Sequence, residues 1–182
     1  MLRTLVIAVA ALSVCGPARA ELPGPAISKV KDEYRLVLPE PMATAIQRIV
    51  PGFEPEELDS YEVDIQKLYR FTCRQAPWVV VGDFDGDGAQ DLIVEGHAQG
   101  RGYRLCVWGA TAVVDTLPVR SQRWEKPLRS VLMYAEPGEQ YTNFSDDSLF
   151  IWADGYVDYF FEKGGWLMYW TEGGWVSWLN SD

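Results

Sequence analysis

The amino-acid sequence predicts an α+β fold: a predominantly antiparallel β-sheet of about seven or eight strands with one or two helices before it. Three observations carry this expectation. Residues 42–50, MATAIQRIV, repeat apolar side chains at helical spacing and stop before Pro51 and Gly52, and a second helical pattern follows. From Trp78 onward, short runs rich in Val, Ile, Leu and aromatic residues alternate with turn residues, as strands do. At the carboxyl end, SLFIWA, GYVDYFF, GWLMYW and GWVSWL are separated by Asp-Gly, Lys-Gly-Gly and Glu-Gly-Gly, so the chain closes on a meander of tight hairpins.

Arg3, the apolar run LVIAVAALSV and the small-residue site ARA before Glu21 form a secretory signal peptide, residues 1–20. Cleavage after Ala20 is expected, with export to the periplasm or the extracellular space. Cys15 in LSVCG also resembles a bacterial lipobox, which leaves a lipid-anchored form as the alternative. No later stretch approaches the roughly eighteen apolar residues of a membrane-spanning helix. Removing the leader takes Cys15 away and leaves Cys73 and Cys106 as an even pair, which in an oxidising compartment predicts a disulfide. Residues 21–182 are long enough for one domain with its own core, and no linker divides them.

Within that domain, Pro23, Pro25, Pro39 and Pro41 surround KVKDEYRLVL, which reads as an extended lead-in holding one short strand. The helix at 42–50 comes next. PEELDSYEVDIQKLYRF supplies a second, with Leu58, Tyr61, Ile65, Leu68 and Tyr69 as the face that packs on the sheet. WVVVG, DLIVEG, YRLCVWG and RSVLMYA are strands, HAQGRGYR is a loop, and the meander follows. Trp152, Trp166, Trp170, Trp175 and Trp178 lie in that meander. Rings at this density are core by the general tendency of large apolar groups to lie inside, and a sugar-stacking platform is the sharper alternative.

Composition narrows the partners. After loss of Arg3 and Arg19 the chain carries 14 basic and 26 acidic residues, a formal charge of −12. Nucleic acid and anionic membrane surfaces, both reached through Lys and Arg clusters, are therefore not expected. Nothing in the sequence sets the oligomeric state.

The stretch VVVGDFDGDGAQDLIVEG, residues 79–96, holds the densest chemistry. Asp83, Asp85, Asp87 and Asp91 stand at the first, third, fifth and ninth places of a loop, and Gly88 at the sixth. A calcium ion needs six to eight oxygens at roughly 2.3–2.6 Å, and alternate side chains of a tight loop can supply them, with the Ala89 carbonyl as a further ligand. Gly86 and Gly88 allow the turns. The twelfth place is Val94, where an EF-hand needs a bidentate Glu, and the flanks are strand-like, so the loop is not an EF-hand. A metal-free Asp-Gly turn is the plainer alternative. Carboxylates packed this closely repel one another, which favours an ion among them.

DFDGDGAQD between two strands resembles the calcium loop of FG-GAP and VCBS-type repeats, of the form DxDGDGxxD. The resemblance implies a Ca2+ site at 83–91 made by Asp83, Asp85, Asp87, Ala89 and Asp91, and a place in surface or adhesion proteins. It occurs once, so the chain is not a complete propeller, which repeats such a unit several times. No catalytic residues are assigned: His97 is the only histidine and no nucleophile motif frames it. The resulting expectation is a non-enzymatic, exported module in which the ion is structural and the surface recognises a protein or glycan of the cell envelope. A small envelope hydrolase, or an inhibitor of such an enzyme, is the alternative.

Overall fold

Thirteen β-strands and two α-helices are formed among the described residues of the computed structural model, which are 24–31, 33–71, 75–118, 126–142, 145, 147–160 and 163–180. The expected signal peptide, Cys15 and Cys73 lie outside these residues. The chain is mixed α+β and mostly β, with strands paired antiparallel.

The lead-in forms two strands where one was expected. β1 (Ala26–Val30) and β2 (Glu33–Val37) make a hairpin whose half-buried face offers Ile27, Tyr34 and Leu36 to the core. Helix α1 (Glu40–Ile49) starts with Pro41 in its first turn, where a missing N–H costs nothing, and buries Met42, Ala45 and Ile46 at the spacing of one helical face. Gly52, at φ 77°, turns the chain out of it. The second helix, α2 (Val63–Phe71), begins later than its apolar pattern predicts. Glu54–Pro55 are taken up as strand β3, and Leu58–Ser60 make a single 3-10 turn. Tertiary pairing with the sheet overrides helix propensity here.

Instead of one sheet, the strands form two main ones. β4 (Val79–Gly82) and β3 both pair with β5 (Asp91–Ala98), which pairs with β6 (Arg101–Val107), and β6 with β7 (Val114–Leu117). HAQGRGYR is thus largely strand, not loop, with a turn only at Gln99 and Gly100. The second sheet has the order β13-β12-β11-β8, from β8 (Ser130–Ala135), β11 (Gly155–Phe160), β12 (Gly164–Thr171) and β13 (Gly174–Asn180). β9 (Gln140–Thr142) and β10 (Ser148–Phe150) form a separate hairpin, and SLFIWA leaves the strand conformation after Phe150. The meander is therefore continuous only from β11 to β13.

Two sheets bury more apolar surface than one, because each has an apolar face to cover. Val80, Phe84, Ile93, Cys106 and Trp108 from the first side meet Leu132, Tyr156, Trp170 and Trp175 from the second. On the far face of the first sheet, Met42, Ile46, Ile65 and Tyr69 of the helices pack on Val79, Leu92, Val94, Leu105 and Val107. β5 is covered on both faces, and its sequence DLIVEGHA is buried almost throughout instead of in alternate positions.

The expected Cys73–Cys106 disulfide is corrected by this packing. Cys106 is a free thiol with no exposed surface, pointing between the sheets, and no disulfide is formed among the described residues. Burial pushes its thiol well above the usual range, with the Asp91, Asp115 and Asp85 carboxylates adding to the effect.

Candidate metal centre

Residues 83–90 connect β4 to β5, and the register Gly82↔Asp91 brings the two ends of the loop side by side. Gly86 and Gly88 both have positive φ, 76° and 86°. Side chains at these positions would be strained, so the two glycines let the loop double back. Phe84, between the first two aspartates, points the other way: it is fully buried, with its ring 5.8 Å from that of Trp175. A loop otherwise made of Asp, Gln, Gly and Ala is thereby fixed to the inter-sheet core by one aromatic ring.

The loop's carboxylates are met mainly by backbone N–H groups. Asp83 Oδ2 accepts from the Gly88 N–H at 2.9 Å, across the loop, and Asp85 Oδ1 from Asp87 at 3.1 Å. Asp91, buried at the start of β5, accepts from Phe84 at 2.9 Å through Oδ2 and from Gly109 at 2.6 Å through Oδ1. Ligand oxygens of Asp83, Asp85 and Asp91 lie within 4.8 Å of one another. Asp87 stands outside this group, with its Oδ1 accepting from the Ala89 N–H at 2.8 Å. Of the five expected ligand residues, the structure thus brings three together and ties the other two to each other.

The electrostatics of the group are unfavourable without a cation. Burial pushes the Asp91 carboxyl up to about 6, against the opposing effect of the Gly109 and Phe84 N–H groups, while the Asp85 and Asp87 charges push it further. Asp85 is raised too, by partial burial first and then by the Asp87 and Asp83 charges. Asp83 Oδ1 is shut off from solvent and has no hydrogen-bond partner. An all-oxygen donor set with one buried, unsatisfied carboxylate oxygen fits a hard divalent cation, and Asp83, Asp85 and Asp91 are the residues that would hold it.

Two supports of the loop were not singled out in the sequence. Asp154, between β10 and β11, accepts from the Asp83 N–H at 2.7 Å through Oδ2 and returns its own N–H to the Asp83 carbonyl at 3.3 Å. Its other oxygen accepts from the Tyr134 hydroxyl at 2.5 Å, so a clamp from the second sheet holds the first aspartate of the loop. The sequence signal was the Asp-Gly pair at 154–155, legible only as a turn. Gly109 is the other support: a Cβ there would lie 2.3 Å from the Gln90 carbonyl oxygen, so only glycine lets its N–H approach Asp91.

His97 is not isolated. Its Nδ1 lies 2.6 Å from the fully buried Glu56 carboxylate, which also holds Lys126 Nζ at 3.1 Å, and Lys126 donates to Ser60 Oγ at 2.7 Å. The arrangement looks like a Ser-Lys pair, but Lys126 Nζ is also engaged by the Glu56 carboxylate and donates its hydrogen bond to Ser60 Oγ. Its evident effect is to pin the 54–60 segment to β5. The five meander tryptophans do not form a row either: Trp152 is 92% exposed and Trp166 37%, whereas Trp170 and Trp175 join Trp108 in a ring cluster between the sheets.

In comparisons with protein-family models, with curated proteins and with solved structures, the chain matches none.

Proposed function

We propose that this chain is an exported calcium-binding module in which the ion is structural, with a loop of the FG-GAP or VCBS kind serving to fix the junction between two sheets. The observation that supports it is the convergence of Asp83, Asp85 and Asp91 around one point, with Asp83 Oδ1 buried and unsatisfied. At 4.8 Å, each pair of like charges costs roughly 1–4 kcal/mol between the limits of water and a protein surface. A divalent cation turns that cost into attraction. The role is recognition in the cell envelope, with a protein or glycan as partner, and the ion keeps the recognising surface in shape without taking part in chemistry.

The test is calorimetry on chelator-stripped protein. Calcium should bind one to one, and magnesium poorly, because magnesium demands a tighter octahedral shell and gives up its waters reluctantly. Asp85→Ala and Asp91→Asn should each abolish the heat. No heat from calcium with folded, metal-free protein would leave the loop as a plain turn.

A further inference from the structure

The second sheet ends on β13, which is built unlike the other sheet edges of the molecule. Its sequence, GWVSWLN, contains no charge and no proline, in a chain with 26 acidic and 16 basic residues. β12, with which it pairs, carries no charge either. Among the described residues, the backbone of 175–179 bonds to β12 alone. Alternate N–H and C=O groups therefore face away from the sheet with no strand to meet them. Elsewhere the edges are blunted. At β8 the Leu132 N–H donates to the Pro77 carbonyl at 2.7 Å, outside the pairing with β11. β7 is short and carries Asp115, and the β1–β2 hairpin carries Lys29, Glu33 and Arg35. Sheets are protected in these ways because a long bare edge recruits other strands.

The sequence of β13 is complementary to itself. Residues 175, 177 and 179 share one face of the sheet, and 176 and 178 the other. Antiparallel pairing of two copies about a two-fold axis at Ser177 sets Trp175 opposite Leu179 and Val176 opposite Trp178. Each face then pairs a ring with an aliphatic side chain, and Ser177 meets its own equivalent. Leu179 and its register partner Trp166 are 38% and 37% exposed, an apolar pair beside the edge that the Trp175 of a second copy would shield. Pairing identical edges also uses both of them, so the assembly closes at two copies instead of growing. From the bare edge, its lack of charge and its self-complementarity, we propose that β13 is a dimerisation strand. Two copies of the chain join through it, and their four-stranded sheets become one continuous sheet.

The experiment is sedimentation velocity on the folded protein over a concentration series at physiological ionic strength. A monomer–dimer equilibrium is expected, with a dissociation constant on the order of 10 µM, the weak end for an interface as small as one paired edge. Ser177→Lys and Ser177→Glu each place two like charges opposite one another at the axis, and each should weaken association about tenfold or more. Ser177 is exposed, so the melting curves of both variants should match the parent's. Mixed in equal amounts, the two variants should recover the dimer, because each Lys then faces a Glu. Trp152→Ser, which removes the exposed ring between β10 and β11, should leave association unchanged. An equal loss in that variant would show general apolar adhesion and overturn the strand. So would dimers of Ser177→Lys as stable as the parent's, or no recovery in the mixture. A parent that stays monomeric at every concentration would overturn self-pairing and leave the edge to a strand of another protein. Should Ser177→Lys melt early, Leu179→Thr, at another exposed position, takes its place, with severalfold weakening expected.

Discussion

Two carboxylates on β5, four residues apart, face the same problem and meet it differently. Glu95 is buried, and burial raises its carboxyl; Arg104 on the neighbouring strand donates to it through Nε at 2.9 Å and Nη2 at 2.5 Å. The same guanidinium reaches Asp158 of β11 at 3.0 Å and lies over the Tyr156 ring, so one cation serves two acids and joins the two sheets. Asp91 is just as buried, yet no Lys or Arg occurs anywhere from Val79 to Gly96. Its oxygens are met by backbone N–H groups, with Asp83 and Asp85 beside it. The first cluster is closed by a cation of the chain itself, and the second is where the proposed calcium ion would sit.

The largest expected effect breaks the closed cluster. Arg104→Leu leaves Glu95 and Asp158 buried without their cation, which should cost about 3–5 kcal/mol in denaturant unfolding and leave little folded protein. Replacing all three by apolar residues of similar size should recover most of the loss, because the cost lies in the unpaired charges and not in the missing ion pair. If Arg104→Leu alone melts within a few degrees of the parent, the cluster is not the bolt between the sheets that its geometry indicates.

Next in size is Gly109→Ala. The added Cβ meets the Gln90 carbonyl at 2.3 Å, and the backbone must move away from Asp91 to accept it. A cost of about 1–3 kcal/mol is expected, with a matching loss of calcium affinity. Retained affinity in a destabilised variant would separate the backbone support from the ion site.

Asp85→Ala should sharpen the comparison through its sign. In excess chelator the variant should be as stable as the parent or more so, since one of three mutually repelling carboxylates is gone. In millimolar calcium it should lack the parent's gain, which for a dissociation constant of ~0.1 mM is on the order of 1–2 kcal/mol. Arg104→Leu, where it folds, keeps that gain, because its cluster is independent of the ion. A loss for Asp85→Ala that is the same with and without calcium would point to loop packing in place of coordination.

The contrast between the clusters also shows what was legible in the sequence. The DFDGDGAQD spacing is local, so the loop and its strand flanks could be read directly; β4 ends at Gly82, just before Asp83, and β5 begins at Asp91. Glu95, Arg104 and Asp158 sit on three strands, and nothing local marks them as partners. The same holds for Asp154 and Gly109, whose roles arise from contacts 71 and 18 residues away along the chain. HAQGRGYR is polar and glycine-rich and so reads as a loop, whereas pairing with Glu54 and Gly102 makes His97 strand. The split into two sheets was hidden for a related reason. Alternation within a strand reports which face is apolar, not which other strand lies across from it.

The smallest effect tests whether the open cluster is held from the second sheet. Tyr134 supports Asp154, which grips both the N–H and the carbonyl of Asp83, yet none of these groups needs to touch an ion. Burial, followed by the hydrogen bond to Asp154, raises the Tyr134 hydroxyl well above its usual range, so it stays protonated and donates throughout the neutral range. Tyr134→Phe removes that donor while keeping the ring, and should cost about 1 kcal/mol. The difference from a purely structural hydrogen bond lies in the coupling. With the clamp loosened, Asp83 has more freedom to lose when an ion binds, so calcium affinity should fall severalfold and the variant's loss should be larger in calcium than in chelator. Asp154→Asn, which keeps an acceptor for the Asp83 N–H but weakens it, should fall between the parent and Tyr134→Phe. A thermal scan of the three proteins in both conditions decides this: parallel losses with and without calcium would make the clamp a feature of the fold alone.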